Sequence, residues 1–252
     1  MESDLIIEVD LTWSVQVTLF NYYRIMDSIS DFSHTFESGK IYGLISGMGQ
    51  GNWAISYLLS GKEPLNQLDL NKSNIKLNGQ LANQHMLQRI SCYVGEGLTE
   101  ETYRTLRSYP SLLRRRIMGI KTVKEQIVSG LERSKSHYSY NDVKEMFDLT
   151  ERENSVIQFQ SGERWRASMA IGFSHNKKLF CCPWTETFGI GYLLGGVNKK
   201  YIELLRNHGK TIIIPLSHEK YLSGLADEII TLKDKTEIEL QMWANSERTH
   251  DI

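Results

Sequence analysis

No stretch of this 252-residue chain approaches the ~20 consecutive apolar residues that a membrane-spanning helix requires, so no span is expected. Net charge is nearly absent. Lys and Arg number 29 against 30 Asp and Glu, which leaves −1 and excludes a general pull toward nucleic acid or an anionic membrane surface. The one notable basic cluster, residues 114–116, reads as a solvated helix face. Cysteine is scarce. Cys92, Cys181 and Cys182 sit in apolar, strand-like surroundings, adjacent cysteines rarely pair, and no metal-ligand spacing occurs. Buried, reduced thiols are expected, with no metal centre and a cytosolic setting. The opening MESDLIIEVD is acidic and does not read as a secretory leader. There is no internal repeat and no low-complexity tract.

What is present begins with strict alternation. Leu5, Ile7, Val9, Leu11, Trp13, Val15, Val17 and Leu19 are separated by mostly polar residues, which predicts one strand or two with a single buried face. Such strands suit an antiparallel sheet with a solvated side. Residues 29–38 predict another strand, and Gly39 turns the chain into an apolar run at 41–45. Strands are expected again at 74–79 and 89–94. From about 99 to 149 the texture becomes charged and helical; Val123, Ile127 and Leu131 share one helix face, and Val143, Met146 and Phe147 suggest a shorter helix. Helices at 162–174 and 197–207 then alternate with strands at 178–182, 211–216 and 228–232. That alternation argues for a mostly parallel sheet covered on both faces.

One segment carries chemistry. Residues 41–61 read IYGLISGMGQGNWAISYLLSG: an apolar strand, a Gly-rich turn (Gly47, Gly49, Gly51), then a helix. This is the strand–loop–helix setting of a phosphate-binding loop. Where such a loop carries Lys and then Ser or Thr, this chain has Asn52 and Trp53, and its first position is Ser46 rather than Gly.

Landmarks in a recurring order follow that loop. The stretches SDFSHTFESGKIYGLIS, CYVGEG, KTVKEQIVSGL, FQSGERWRASMAIGFSHNKKLFCCPWTE and GKTIIIPLSHEKYLSGLADEIITLKD resemble, in sequence order, the motifs of the ATP-binding subunit of ABC transporters. The likeness runs over about residues 5–234. It implies an α/β fold: a P-loop NTPase (RecA-like) core with an N-terminal antiparallel β subdomain and an inserted α-helical subdomain. The chain would then be a single ABC ATPase-like domain, with 1–96 and 160–252 forming the core and 97–159 the helical subdomain.

The resemblance also marks site positions, many of them altered. Gly47, Gly49 and Gly51 keep backbone N–H groups available for a phosphate. Asn52 carries no charge to reach the β- and γ-phosphates, and Trp53 cannot ligate Mg²⁺. Either Tyr22 or Tyr23 would stack on adenine, or simply pack. Glu96 replaces the Gln of the Q-loop. In the signature helix Gln160 stands where Ser is expected; a one-residue shift restores Ser161 and Gly162 but puts Glu163 in place of the second Gly. Arg166 matches a basic residue further along. Pro183 and Trp184 occupy the positions of the Walker B Asp and Glu, whose tasks are to orient Mg²⁺ and polarise water. Glu186 is a weak substitute nearby. His218 is the H-loop equivalent, the one catalytic-type residue retained.

Losing one key electrostatic donor costs roughly 10²–10³ in rate, and here the lysine, both metal-holding groups and the general base are missing together. The resemblance therefore implies a pseudo-ATPase, with ATP bound weakly or not at all, Mg²⁺ poorly held and no metal ligand to name. Its partners would be integral membrane transporter subunits and a second ABC ATPase subunit, a heterodimer being favoured over a homodimer, on the cytoplasmic face of a membrane. The helical insert and the Glu96 loop would receive a helix of the membrane partner. Tyr103, Tyr109, Leu112 and Leu113 are candidates there, although the leucines are expected to be buried within the insert. The alternatives are a regulatory or scaffold protein without a transport role, and an active ATPase using unconventional groups such as His218 or Glu186.

Overall fold

The computed structural model describes residues 4–19, 25–47, 49–62, 73–96, 98, 111–157, 163–184 and 197–232. Strand β1 (Ile6–Leu19) pairs antiparallel with β2 (Ile25–Glu37) on one side and with β4 (Ser73–Leu77) on the other; β5 (Gln80–Leu81) extends this sheet beyond β4. The alternation of the first segment explains the arrangement. Leu5, Ile7, Val9 and Leu11 are buried, whereas Ile6 and Asp10 face outward. A single long strand forms rather than two, and its register against β2 shifts between Trp13 and Gln16, as at a β-bulge.

The second sheet is parallel throughout. It contains β3 (Ile41–Ile45), β6 (Ser91–Tyr93), β7 (Leu179–Cys181), β8 (Thr211–Leu216) and β9 (Glu228–Thr231), in the order β6-β7-β8-β3-β9. β3, β6, β7 and β8 are buried at every position, as strands covered on both faces must be. Helix α1 (Asn52–Leu59) lies against β1 and β2 as well as β7 and β8, so all eight of its residues are buried. One apolar cluster accordingly joins Ile7, Leu11 and Phe36 of the antiparallel sheet to Leu58 of α1 and Ile213 of β8.

Where a short strand is expected at 89–94, Arg89 and Ile90 instead close helix α2 (Gln84–Ile90), leaving only β6. The helix starts because the Asn83 side chain accepts the Met86 N–H at 2.9 Å, a local cap that overrides the β-like pattern at the helix's end.

A second cluster packs α4 (Val123–Ser134), α5 (Tyr140–Met146), α6 (Arg164–Ser174) and α7 (Val197–Asn207) on the other face of the parallel sheet, and α3 (Leu112–Ile117) contributes no residue to it. Val123, Ile127 and Leu131 are buried on one face of α4, and a capping box between Thr122 and Glu125 begins that helix. α4 crosses α6 closely at Gly130, where an added Cβ would lie 2.4 Å from His175 Cδ2. Within the 114–116 cluster Arg114 and Arg116 are exposed, but Arg115 is buried and pairs with Glu125 at 2.7 Å. The three thiols are buried, and burial pushes those of Cys181 and Cys182 up, keeping them protonated. No helix among the described residues is long and apolar enough to cross a membrane.

Two consequences are measurable. A Cβ at Gly172 would lie 2.7 Å from Phe180 and 2.8 Å from Cys92. Gly172→Ala is therefore expected to destabilise the fold by about 1–3 kcal/mol, read from the urea unfolding midpoint. Burial holds the His175 imidazole below its ordinary 6.5, opposed by the bond from its Nε2–H to the Gln126 carbonyl at 3.0 Å; burial lowers His34 as well. The unfolded chain then binds these protons more readily than the folded one. Stability is full above pH 6.5 and falls as pH drops below it. Thermal unfolding followed from pH 7 to pH 5 should show the decline, and His175→Gln should flatten it.

Candidate functional site

β3 ends at the carboxyl edge of the parallel sheet, between β8 and β9, and α1 begins a few residues later. That is where open α/β sheets place ligands, because strand ends and helix starts converge there. The Ser46 N–H donates to the Leu216 carbonyl at 3.2 Å and so ties the loop's root to the end of β8. Gly49 (φ +79°) and Gly51 (φ +102°) occupy the left-handed region, which lets the loop fold tightly enough to present α1 at once. Gly47 is exposed.

Asn52, at the position of the expected lysine, is only 1% exposed. Its Nδ2 donates to the carbonyls of Leu44 at 3.1 Å, Ser46 at 3.4 Å and Leu216 at 3.0 Å. Its Oδ1 accepts the Trp53 N–H at 2.8 Å. The amide thus ties the ends of β3 and β8 together and caps its own helix. Trp53 is buried, and its indole N–H donates to the Tyr93 hydroxyl at 2.7 Å. Burial drives the Tyr93 phenol far above its usual value, with the Trp53 bond only partly opposing it, so it stays neutral. Tyr57 meets the Tyr93 ring edge-on at 5.3 Å.

A further residue enters from the other sheet. Asp27 of β2, 1% exposed, accepts the Gly51 N–H on Oδ1 at 2.7 Å and the Ala54 N–H on Oδ2 at 2.7 Å. Both bonds are short and charge-assisted. Gly51 has no side chain with which to cap α1, so a strand 24 residues earlier supplies the cap.

The remaining walls are equally tied down. Ser56 of α1 donates to the Cys182 carbonyl at 2.6 Å, where β7 runs out. Beyond it Pro183 and Trp184 are half-buried, and Trp184 packs on the cluster that contains Trp53 and Tyr93. The Glu96 carboxylate pairs with Lys62 at 2.9 Å, and both side chains are largely buried. Its backbone carbonyl accepts the Ser168 hydroxyl of α6 at 2.7 Å, and Arg164 donates to the neighbouring Gly95 carbonyl. His218 is exposed two residues past Leu216, at the start of a 3₁₀ turn (Glu219–Tyr221), with the Tyr221 ring 6.4 Å away. Glu163 pairs with Arg166 at 2.7 Å and accepts the Thr150 hydroxyl at 2.9 Å.

The structure therefore gathers Gly47, Gly49, Gly51, Asn52 and Trp53 at one strand end and sets the His218 segment against its root. Glu96 is joined to the group through the buried Lys62–Tyr93–Trp53 cluster, where Lys62 Nζ lies 5.9 Å from the Tyr93 ring. Tyr22, Tyr23, Gln160, Ser161, Gly162 and Glu186 lie outside the described residues. Among the described residues no group of three or more His, Cys, Asp or Glu side chains is placed to hold a metal. Sequence reading missed Asp27, Lys62 and Tyr93. Asp27 had one legible signal: it shares β2 with Ile29, two residues on and also buried, so a carboxylate sits on an apolar face and demands a partner.

No family model matches this chain, and no curated protein does. Among solved structures it is similar to a protein from Pyrococcus furiosus described provisionally as an ABC transporter (ATP-binding protein). The TM-score is 0.54, with 14% identity, and the match covers 90% of this chain and 97% of the other. The likeness establishes the fold: a mixed α/β architecture with antiparallel and parallel sheets, similar to an ABC ATPase.

The inward role of Asn52 sets an expectation. Asn52→Leu removes a buried donor shared by the Leu44, Ser46 and Leu216 carbonyls, the last of which keeps the Ser46 N–H, together with the acceptor of the Trp53 N–H, so stability should fall by about 2–4 kcal/mol, on the scale of ~1–3 for each buried polar group that loses a partner. Trp53→Phe, which removes the hydrogen bond to the Tyr93 hydroxyl and leaves part of the indole volume empty, should cost about 1–2 kcal/mol. Guanidinium unfolding of both variants checks the order.

Proposed function

We propose that this chain is a non-hydrolysing, ATP-binding-cassette-like subunit of a transporter, which docks on integral membrane subunits and pairs with a second, competent ATPase. The observation that carries the reading is Asn52: the frame of a phosphate loop is kept, while the side chain at its charged position is buried and bonded to the strands behind it. The residues in place do not fit a Mg²⁺–nucleotide. Trp53 fills the position of the metal-holding hydroxyl and is bonded to Tyr93; Pro183 and Trp184, at the positions of the metal-orienting Asp and the general base, offer no oxygen side chain. Glu96 already has Lys62 as its counterion. No catalytic step is assigned to the chain.

The surface supports a docking role. The leucines expected inside the helical insert are outside it: Leu112 is 73%, Leu113 70% and Ile117 77% exposed. The cause is local. α3 is a six-residue helix whose buried member is Arg115, held inward by Glu125 and by the Ile120 carbonyl, so its apolar side chains are left outward. Beside them, between α3 and α4, lies an open cavity of about 630 Å³ lined by Leu112, Arg116, Ile120, Lys121, Lys124 and Val128 among others. Exposed apolar side chains next to a cavity mark a protein contact, and an amphipathic helix is the element that fits such a groove. Tyr103 and Tyr109 lie outside the described residues.

The test has two arms. The purified chain should show no Mg²⁺-dependent ATP turnover above background. From detergent-solubilised membranes it should co-purify with an integral membrane protein, and the paired change Leu112→Asp, Leu113→Asp should abolish that capture while moving stability by no more than about 0.5 kcal/mol, as befits surface positions. Turnover lost on His218→Ala would establish an unconventional ATPase instead. A lone soluble monomer with no membrane partner would favour a regulatory or scaffold protein.

A further inference from the structure

We infer that the phosphate cradle of this chain is filled by its own Asp27 carboxylate, an internal anion that stands where a ligand phosphate would bind and holds the loop without a ligand. The inference rests on reading the loop as a former phosphate site. It goes further in naming what replaced the ligand.

The first turn of any helix leaves N–H groups without intrahelical acceptors. In a phosphate loop those groups, together with the helix dipole, are what an anion binds. Here three of them have partners from the protein. The Gly51 and Ala54 amides go to the two oxygens of Asp27, both at 2.7 Å, and the Trp53 amide goes to Asn52 Oδ1 at 2.8 Å. A carboxylate offers what one face of a phosphate offers: negative charge and two acceptor oxygens held a fixed distance apart. The bidentate grip of one turn on one carboxylate is the grip it would apply to two phosphate oxygens.

The reason an anion is needed lies in the packing. Every residue of α1 is buried, so water cannot solvate its amino end, and an unpaired amide there would be costly. A protein that had lost its nucleotide but kept this loop would need a substitute acceptor. Asp27 is placed by the ladder, opposite Val17 in the β1–β2 pairing, and at 1% exposure its charge has to be met by donors. The loop and the carboxylate satisfy each other. A phosphate entering the cradle would have to displace a buried like charge that already holds the donors. The same contact ties β2 of the antiparallel sheet to the helix lying against the parallel sheet, so the relation between the sheets is held at this point without any ligand.

The decisive experiment uses inorganic pyrophosphate as the probe on three versions of the full chain. The unaltered chain should show no binding heat, and its melting temperature should not move with pyrophosphate. Asp27→Ala should melt lower in anion-free buffer, regain stability as pyrophosphate is added, and bind it at least about tenfold more tightly than the unaltered chain, the scale of one charge-assisted hydrogen bond. Asp27→Asn, which keeps the shape and one acceptor oxygen, should melt between the two and serves if the alanine variant does not fold. Independently, the Gly51 and Ala54 amides of the unaltered chain should be protected from hydrogen exchange without nucleotide. Equal pyrophosphate binding by the unaltered chain and the variants, or exchange of those two amides at free-peptide rates, would overturn the assignment of Asp27. A parallel ATPase assay on the unaltered chain separates the two readings. Turnover there sinks the non-hydrolysing subunit, whereas absent turnover with no anion effect in either variant sinks only Asp27.

Discussion

A helix that starts in the interior cannot leave its first amides to water. Helix α1 begins at the edge of the parallel sheet, lies between that sheet and the antiparallel one, and is buried along its whole length. Its leading N–H groups must therefore find acceptors on the protein or on a ligand. Asp27 and the Asn52 carboxamide meet most of that demand, and the surrounding contacts follow from it. Asn52 can cap the helix only by turning inward, which also lets its Nδ2 close the ends of β3 and β8. Asp27 can reach the loop only because β2 runs past α1, which couples the two sheets.

The polar groups around the loop are tied together in the same way. Trp53 and Tyr93 share one buried hydrogen bond, Lys62 and Glu96 form one largely buried ion pair, and Ser168 joins the Glu96 segment to α6. These polar groups come from separate parts of the chain and satisfy one another. Buried networks of this kind specify one arrangement, since each member left alone would be costly. The result is a strand–loop–helix joint held by hydrogen bonds from both sheets. Among the described residues the most exposed large apolar side chains lie elsewhere, on α3, where a short helix turns Arg115 inward and leaves Leu112, Leu113 and Ile117 outward.

Much of this was legible from order along the chain, and the failures have local causes. The alternation of Leu5 to Leu11, the run at 211–216 and the four-residue spacing of Val123, Ile127 and Leu131 each report a periodicity set by backbone geometry, and each appears as the expected element. The segment at 89–94 was misread because a cap at Asn83, several residues upstream, decided its first two residues. Leu112 and Leu113 were misplaced because hydrophobicity favours burial only where a surface is there to receive it. The three-residue arginine run was read as solvated, yet its middle member is the buried one, drawn in by Glu125 ten residues later.

The sequence alone determined the elements, their alternation and the substitutions at the loop, since periodicity, glycine placement and residue identity are all local properties. It also determined that Asn52, Trp53, Pro183 and Trp184 bring neither a cationic amine nor a hydroxyl or carboxylate to those four positions. Only the tertiary structure decided which groups these side chains and the loop amides bond to. Asp27 lies 24 residues from Gly51, Tyr93 lies 40 from Trp53, and Lys62 lies 34 from Glu96. Such partners are chosen by the crossing of sheets and helices. The demand for an acceptor at a buried helix start can be read from one segment, but which side chain answers it depends on which strand the fold brings alongside.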